Sequence, residues 1–284
     1  MPNNTFPQRR VIVEFQTKDG NLKRVEGINV KFSIRQMCYA FGGQAQIQIA
    51  NLSMDDITYL TTYLSPFLSP QARKKVILYC GYDDNVAKIY EGDIWTAQPS
   101  KNGADIWLNI KAMKGFFNSS TITSKTIKGT QIPLKEVCQQ VAKWNSMPLD
   151  FQATVSKTLD TFVFTGSLTD AIRKLNDTAD ILAFEENGTL KVIDRKDPRI
   201  KGGIRELSEE SGMIGFPHLD HFGATIKMLM DNTVKLGTTV KLKSKLCPSA
   251  NGQYWVYTAT HTGSLREQQF YTELKCRRGG ALWW

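Results

Sequence analysis

Three histidines, His218, His221 and His261, and two close pairs of carboxylates are the residues of this 284-residue chain whose types could carry chemistry. A zinc ion asks for about four convergent nitrogen, sulfur or oxygen ligands. His218 and His221 bracket Leu219 and Asp220, an i, i+3 spacing that converges only on a helix. Pro217 precedes them, Gly223 follows, and no Glu or Cys is placed beside them as a third ligand, so the pair reads as part of an ordinary loop. His261 falls in a strand-like stretch between Thr260 and Thr262 without a G-x-S-x-G or Cys and His signature to make it the base of a nucleophile. Its expected part is packing, or a hydrogen bond at a strand end. Glu91 with Asp93, and Glu209 with Glu210, are of the type that paired acids use in glycan hydrolysis. The first pair lies on one face of a strand beside a turn, where solvated or salt-bridged carboxylates are expected. Cys38, Cys80, Cys138, Cys247 and Cys276 are odd in number and contain no C-x-x-C spacing, which indicates neither a disulfide framework nor a zinc site. Gly42-Gly43 and Gly202-Gly203 follow no strand-to-helix signal with a phosphate-binding lysine and read as turns. No catalytic, cofactor-binding or metal-binding residue is expected.

The elements that would position these groups come next. Lys and Arg number 36 against 27 Asp and Glu, a formal charge of +9 that suits nucleic acid, an anionic envelope or an acidic neighbouring subunit. The basic residues are dispersed, and no run of five marks a nucleic-acid module. No apolar run approaches the roughly 20 residues of a membrane helix, and the N-terminal MPNNTFPQRRVIVEF lacks the apolar stretch of a secretory signal. Synthesis in the cytoplasm without export through the general secretory route is therefore expected.

Val11, Val13 and Phe15 share one face of a strand, and so do Val30, Phe32 and Ile34. From Gln44 to Ile49 the alternation is cleanest: Ala45, Ile47 and Ile49 point one way, Gln44, Gln46 and Gln48 the other. That amide face is polar without charge and suits a solvated surface or a subunit contact. Ser53 can cap a helix bearing Ile57, Leu60 and Leu64 on one side, stopped by Ser65-Pro66 and Ser69-Pro70. Val76-Ile77-Leu78-Tyr79 reads as a buried strand, joined by an acidic turn to a second strand through Tyr90-Glu91-Gly92-Asp93-Ile94, with a bulge expected at Gly92. Asp105 to Lys111 supplies another strand.

These pieces define a first β domain over 9–117, after an N-terminal arm over 1–8. A Ser/Thr-rich linker or extended crossing segment over 118–129 follows. Two helices, one with Pro133 in its first turn and one starting near Ser167, and a hairpin turning at Asn187-Gly188 make a small α+β domain over 130–204. Further strands from Arg205 form a second β domain over 205–276. The tail over 277–284 ends in Leu282, Trp283 and Trp284 behind Gly279-Gly280, placed either on its own domain or in a neighbouring subunit.

The order of several short motifs carries a resemblance. In the first β domain they are Ile47-Gln48-Ile49-Ala50-Asn51-Leu52-Ser53, Gly81-Tyr82, Tyr90-Glu91-Gly92-Asp93-Ile94 and the strand from Ile106 to Gly115. In the second they are Arg205-Glu206-Leu207-Ser208, Ser211 to Pro217, Lys235-Leu236-Gly237 and Gly252 to Gly263. Together they cover most of residues 9–276, and the chain resembles phage baseplate hub proteins, the family of late-control D proteins and of the hub of type VI secretion spikes.

The resemblance implies a mainly β fold of two antiparallel barrel-like tube domains separated by an α+β domain. It also implies a structural, non-enzymatic homotrimer in the baseplate of a phage tail, adapting a six-fold tube to a three-fold spike. The partners it implies are the tail tube protein, a separate central spike protein, other baseplate proteins, the tape measure protein, and genomic DNA only in transit. Gln44, Gln46, Gln48, Leu282, Trp283 and Trp284 are the expected subunit or partner contacts. The competing classes are a tail-associated peptidoglycan-degrading enzyme and a basic nucleic-acid-binding protein.

Overall fold

The computed structural model describes residues 7–38, 43–64, 73–114, 123–154, 156–186, 188–195, 204–221 and 223–278. Period-two patterning becomes strand wherever it was strong. The first β region holds β1 (Arg9–Gln16), β2 (Leu22–Glu26), β3 (Val30–Met37) and β4 (Gln44–Ala50). After helix α1 (Met54–Leu60) come β5 (Lys75–Tyr82), β6 (Asn85–Asn102) and β7 (Asp105–Met113). All these strands pair antiparallel, in the order β3-β4-β7-β6-β5-β1-β2. Val13, Phe15, Ile34, Ile47, Leu78 and Ile110 point inward from five of them into one core, so the sheet curls around its apolar face.

Two details differ from the sequence reading. Ser53 accepts from the Asp56 amide and starts α1 as expected, but the helix ends at Leu60 and leaves Leu64 exposed. Thr61 adopts an extended ψ of 133° and donates its hydroxyl to the Ile57 carbonyl, while the Thr62 amide leaves the helix to bond Ala97 in β6. A cross-chain partner thus outcompetes the next helical turn. The bulges of β6 fall at Ile89 and Trp95, on either side of Gly92, which keeps its register opposite Val76. Gly92 is needed for another reason: a Cβ there would overlap the Tyr90 hydroxyl and lie 3.0 Å from the Met113 carbonyl oxygen.

The expected linker contains β8 (Thr123–Ile127), whose extended, β-branched run pairs antiparallel with β12 (Phe162–Gly166). Between them lie β9 (Ile132–Pro133), α2 (Leu134–Trp144), β10 (Leu149–Phe151) and β11 (Thr158–Leu159). Pro133 sits at the N-cap of α2, one position before the first turn. Helix α3 (Leu168–Ala179) opens with a full capping box between Ser167 and Asp170. Then β13 (Ile181–Glu186) and β14 (Thr189–Asp194) form the expected hairpin, closing at Glu186 opposite Thr189 with Gly188 at φ +80°. Val137, Cys138 and Val141 of α2 meet Ala171, Ile172 and Leu175 of α3 in a core of their own.

The last region contains β15 (Arg205–Leu207), β16 (His218–Leu219), β17 (Gly223–Leu229) and β18 (Thr239–Leu242), followed by the long β19 (Gly252–Ser264) and β20 (Phe270–Arg278). Its core gathers Ile226, Val240, Trp255, Val256 and Leu274. The two β regions are joined edge to edge. β3 pairs antiparallel with the second half of β19, from Met37 opposite Thr258 to Lys31 opposite Ser264, so that 13 strands form one sheet. Among the described strands no pairing closes either region on itself. The fold is mainly β with an α+β insertion, and each β region wraps a separate core on one continuous sheet.

Candidate interaction surface

Because successive residues of a strand point to opposite faces, the register specifies what the outer face of this sheet carries. Across β19, β3, β4 and β7 the aligned outward residues run Thr260, Arg35, Gln44 and Met113. The next row is Thr262, Ser33, Gln46 and Lys111, and the third is Ser264, Lys31, Gln48 and Asn109. Gln44, Gln46 and Gln48 are exposed, as their alternation required, and lie side by side with hydroxyls and amides rather than with acids.

Local hydrogen bonds order this face. Gln48 Nε2 donates to Asn109 Oδ1 at 2.8 Å, and Asn109 Nδ2 donates to Ser100 Oγ at 2.8 Å. The Lys31 ammonium pairs with Glu267 and lies 5.0 Å from the centre of the Trp107 ring. Gln48, Asn109, Lys31 and Glu267 line a shallow groove of about 330 Å³ with Ser33, Lys111, Thr262 and Gln269. Arg35 and Lys111 stand exposed on the same face of the sheet without an ion pair among the described residues. Such a surface can accept and donate many weak hydrogen bonds, and it holds little that could catalyse.

The titratable candidates are dispersed. His218 and His221 are exposed, His218 in the two-residue strand β16 rather than in a loop, and among the described residues no three His, Cys, Asp or Glu side chains are grouped to hold a metal. His261 is buried in mid-strand, with Nδ1 3.0 Å from Thr272 Oγ1, and burial pushes its pKa down to about 4. Glu91 accepts from Lys88 Nζ at 2.8 Å, which holds its carboxyl below the usual range.

Glu209 clamps a loop. It accepts from Ser244 Oγ at 2.6 Å and from the amides of Lys245 and Leu246, and the Ser244 hydrogen bond leads the causes that lower its pKa to about 2. Glu210 pairs with Lys245 at 2.5 Å. Each carboxylate is thus held ionised by a structural partner, the reverse of the raised pKa a general acid needs.

The sequence reading missed the buried charges between the three cores. Glu186 is buried, pairs with Lys191 and accepts from the Leu236 amide at 3.0 Å. Burial raises the pKa of neighbouring Glu185 and lowers that of buried Lys114. Two acids just before an Asn-Gly turn have the pattern of a solvated hairpin tip. Their partners are distant, the Leu236 amide for Glu186 and Lys114 for Glu185, and no local signal records them. Gly42, Gly202 and Gly203, Asn187, and the tail residues Leu282, Trp283 and Trp284 lie outside the described residues.

A family model described as Baseplate hub gp41 matches residues 10–276 of the chain. No curated protein matches it. Among solved structures, the 43 kDa tail protein of prophage MuSo2 from Shewanella oneidensis is similar at a TM-score of 0.67 with 8% identity, covering 96% of this chain and 98% of the other. A tail protein from Neisseria meningitidis MC58 is similar at a TM-score of 0.66 with 10% identity, covering 95% and 97%. The E. coli c3393 protein, a component of the type VI secretion system, is similar at 0.57 with 8% identity, covering 88% and 73%. At these identities the likeness is one of fold.

Proposed function

Because this chain belongs to the Baseplate hub gp41 family, we propose that it is a structural subunit of the hub at the tip of a phage tail. In this reading three copies form a ring that adapts the six-fold tail tube to a three-fold spike and leaves a channel for the genome. Its place is the virion baseplate. Its neighbours are the tube protein, a separate central spike protein, other baseplate proteins and the tape measure protein.

The observation that carries this reading is the family match over residues 10–276, which spans both β regions. The β3–β19 pairing supports it physically. Two β regions held in one sheet turn three chains into six similarly placed β units, the number a six-fold tube must meet. The amide row of Gln44, Gln46 and Gln48, flanked by Lys31, Arg35 and Lys111, is the proposed contact surface toward a neighbouring tail component, because amides lose less on desolvation than charges would. The protein is proposed to catalyse nothing.

The test is the mass of the purified chain in solution at micromolar concentration, alone and with its spike protein. A species of three chains is expected. A monomer under both conditions overturns the ring.

A further inference from the structure

The groove of about 330 Å³ lies over the seam of the two β regions. Small residues, Ser33 of β3 with Thr262 and Ser264 of β19, line it there, and Gln46, Gln48 and Lys111 line it from β4 and β7. Its charge is one-sided. On the three aligned rows, carried on through β20 and β17, the outward cations are Lys227, Lys31, Arg35 and Lys111, and Glu273 is the one acid among these described residues. Lys31 pairs with Glu267, and Lys227 stands opposite Glu273 with its ammonium 3.7 Å from the centre of the Tyr271 ring. Arg35 and Lys111 are left exposed with no ion pair among the described residues. On β1, β2 and β6 the pattern differs: Arg10 meets Glu26 at 2.6 Å, Arg24 meets Glu14 at 3.8 Å and Lys88 meets Glu91 at 2.8 Å.

We propose that this face takes an acidic polypeptide, whose carboxylates meet Arg35 and Lys111 while the glutamine row bonds its polar groups. The proposal rests on the hub reading above and gives the chemistry of the neighbour that seats on Gln44, Gln46 and Gln48. Covering a cation without an opposite charge costs far more than covering an amide, so a neighbour that dries this face has to bring acids with it. Two strand spacings and two residues set the backbones of Arg35 and Lys111 roughly 12 Å apart, which asks for two separate carboxylates. The Arg35 fork can hold one of them through two parallel hydrogen bonds.

The same pattern argues against nucleic acid. A duplex carries a charge for about every 1.7 Å of its axis and is met by a dense run of cations. Here neutral amides separate the two free cations, and Glu273 would face the phosphates.

The experiment measures binding of a fluorescein-labelled peptide of alternating glutamate and serine to the full chain, by anisotropy. The variant Arg35→Gln with Lys111→Gln is expected to bind at least about 10-fold more weakly, the loss of two charge pairs at a partly screened surface. Lys135→Gln with Lys143→Gln removes the same charge from exposed positions on α2 and should bind as the wild type does. Equal weakening in both variants means attraction by net charge alone and overturns the proposal. Duplex DNA that binds the wild type more tightly than the peptide, and loses that advantage in the Arg35 and Lys111 variant, assigns the face to nucleic acid and also overturns it. Should the variant fail to fold, acetylation of the wild type is followed by mass spectrometry. The peptide should slow modification of Lys111 and not of Lys135, and equal rates at the two overturn the proposal. A trimer that does not bind the peptide overturns this contact and leaves the hub reading standing, whereas a chain that binds the peptide yet stays monomeric alone and with its spike protein overturns the hub reading itself.

Discussion

The backbone amide of Leu236 donates to the Glu186 carboxylate at 3.0 Å across 50 positions of sequence, tying the second β region to the hairpin of the α+β insertion. Lys191 pairs with the same carboxylate. Glu186→Ala strands both a largely buried ammonium and an amide, and should cost about 3 kcal/mol. Glu186→Gln keeps an acceptor for Leu236 and should cost less. Denaturant melts of the two variants check this order, and equal losses would show that the amide contact contributes nothing.

His261 makes stability depend on pH. Its folded pKa of about 4 lies below the ordinary value near 6.5, so the unfolded chain binds a proton that the folded chain refuses. The neutral-form stability is complete above pH 6.5 and is lost as pH falls toward 4, on the order of 3 kcal/mol over that window. His261→Gln removes the titration. The stability gap between wild type and this variant should therefore shrink between pH 7 and pH 4.5, as read from urea midpoints. A constant gap would mean that His261 does not titrate on unfolding.

Gly92 and Tyr90 form a steric pair. Gly92→Ala should destabilise by about 1–3 kcal/mol through overpacking, since its Cβ would lie 2.8 Å from Tyr90 Cζ. The Tyr90 hydroxyl is buried without a hydrogen-bond partner among the described residues. Tyr90→Phe should consequently be neutral or stabilising, and should recover part of the Gly92→Ala loss. Thermal melts of the two single variants and the double variant test both statements.

No chemical step should be lost in His218→Ala, His221→Ala, His261→Ala, Glu91→Gln or Asp93→Asn. Peptidoglycan turnover by the purified protein is the measurement. Reproducible hydrolysis that one of these changes abolishes without unfolding the chain would replace the structural reading with an enzymatic one.

Wherever apolar residues kept strict period two, the sequence was enough to locate strands: Ala45, Ile47 and Ile49 are buried and the three glutamines exposed. The capped start of α1 at Ser53 was equally legible, and the start of α3 near Ser167 was read without its cap, where the structure adds a capping box with Asp170. What stayed hidden depends on distant partners. Thr62 leaves α1 for Ala97, Glu186 accepts from the Leu236 amide, and β3 finds β19, each across a sequence gap that no periodicity encodes. The amide face was visible as a pattern on one strand. Its extension over β3, β7 and β19 required the register.

The β3–β19 seam sets a clock on synthesis. Cys38, at the end of β3, meets Val256 across 218 positions, so the partner of β3 leaves the ribosome roughly 10–40 s later at about 5–20 residues per second. Throughout that interval β3 offers one bare edge, flanked by Phe32 and Ile34, to any other nascent chain on the same message. Lys31 and Arg35 place like charges along that edge, which disfavours its pairing with another copy of itself. Substitutions that neutralise both lysine and arginine would shift yield toward aggregate during translation, even where the finished protein is no less stable.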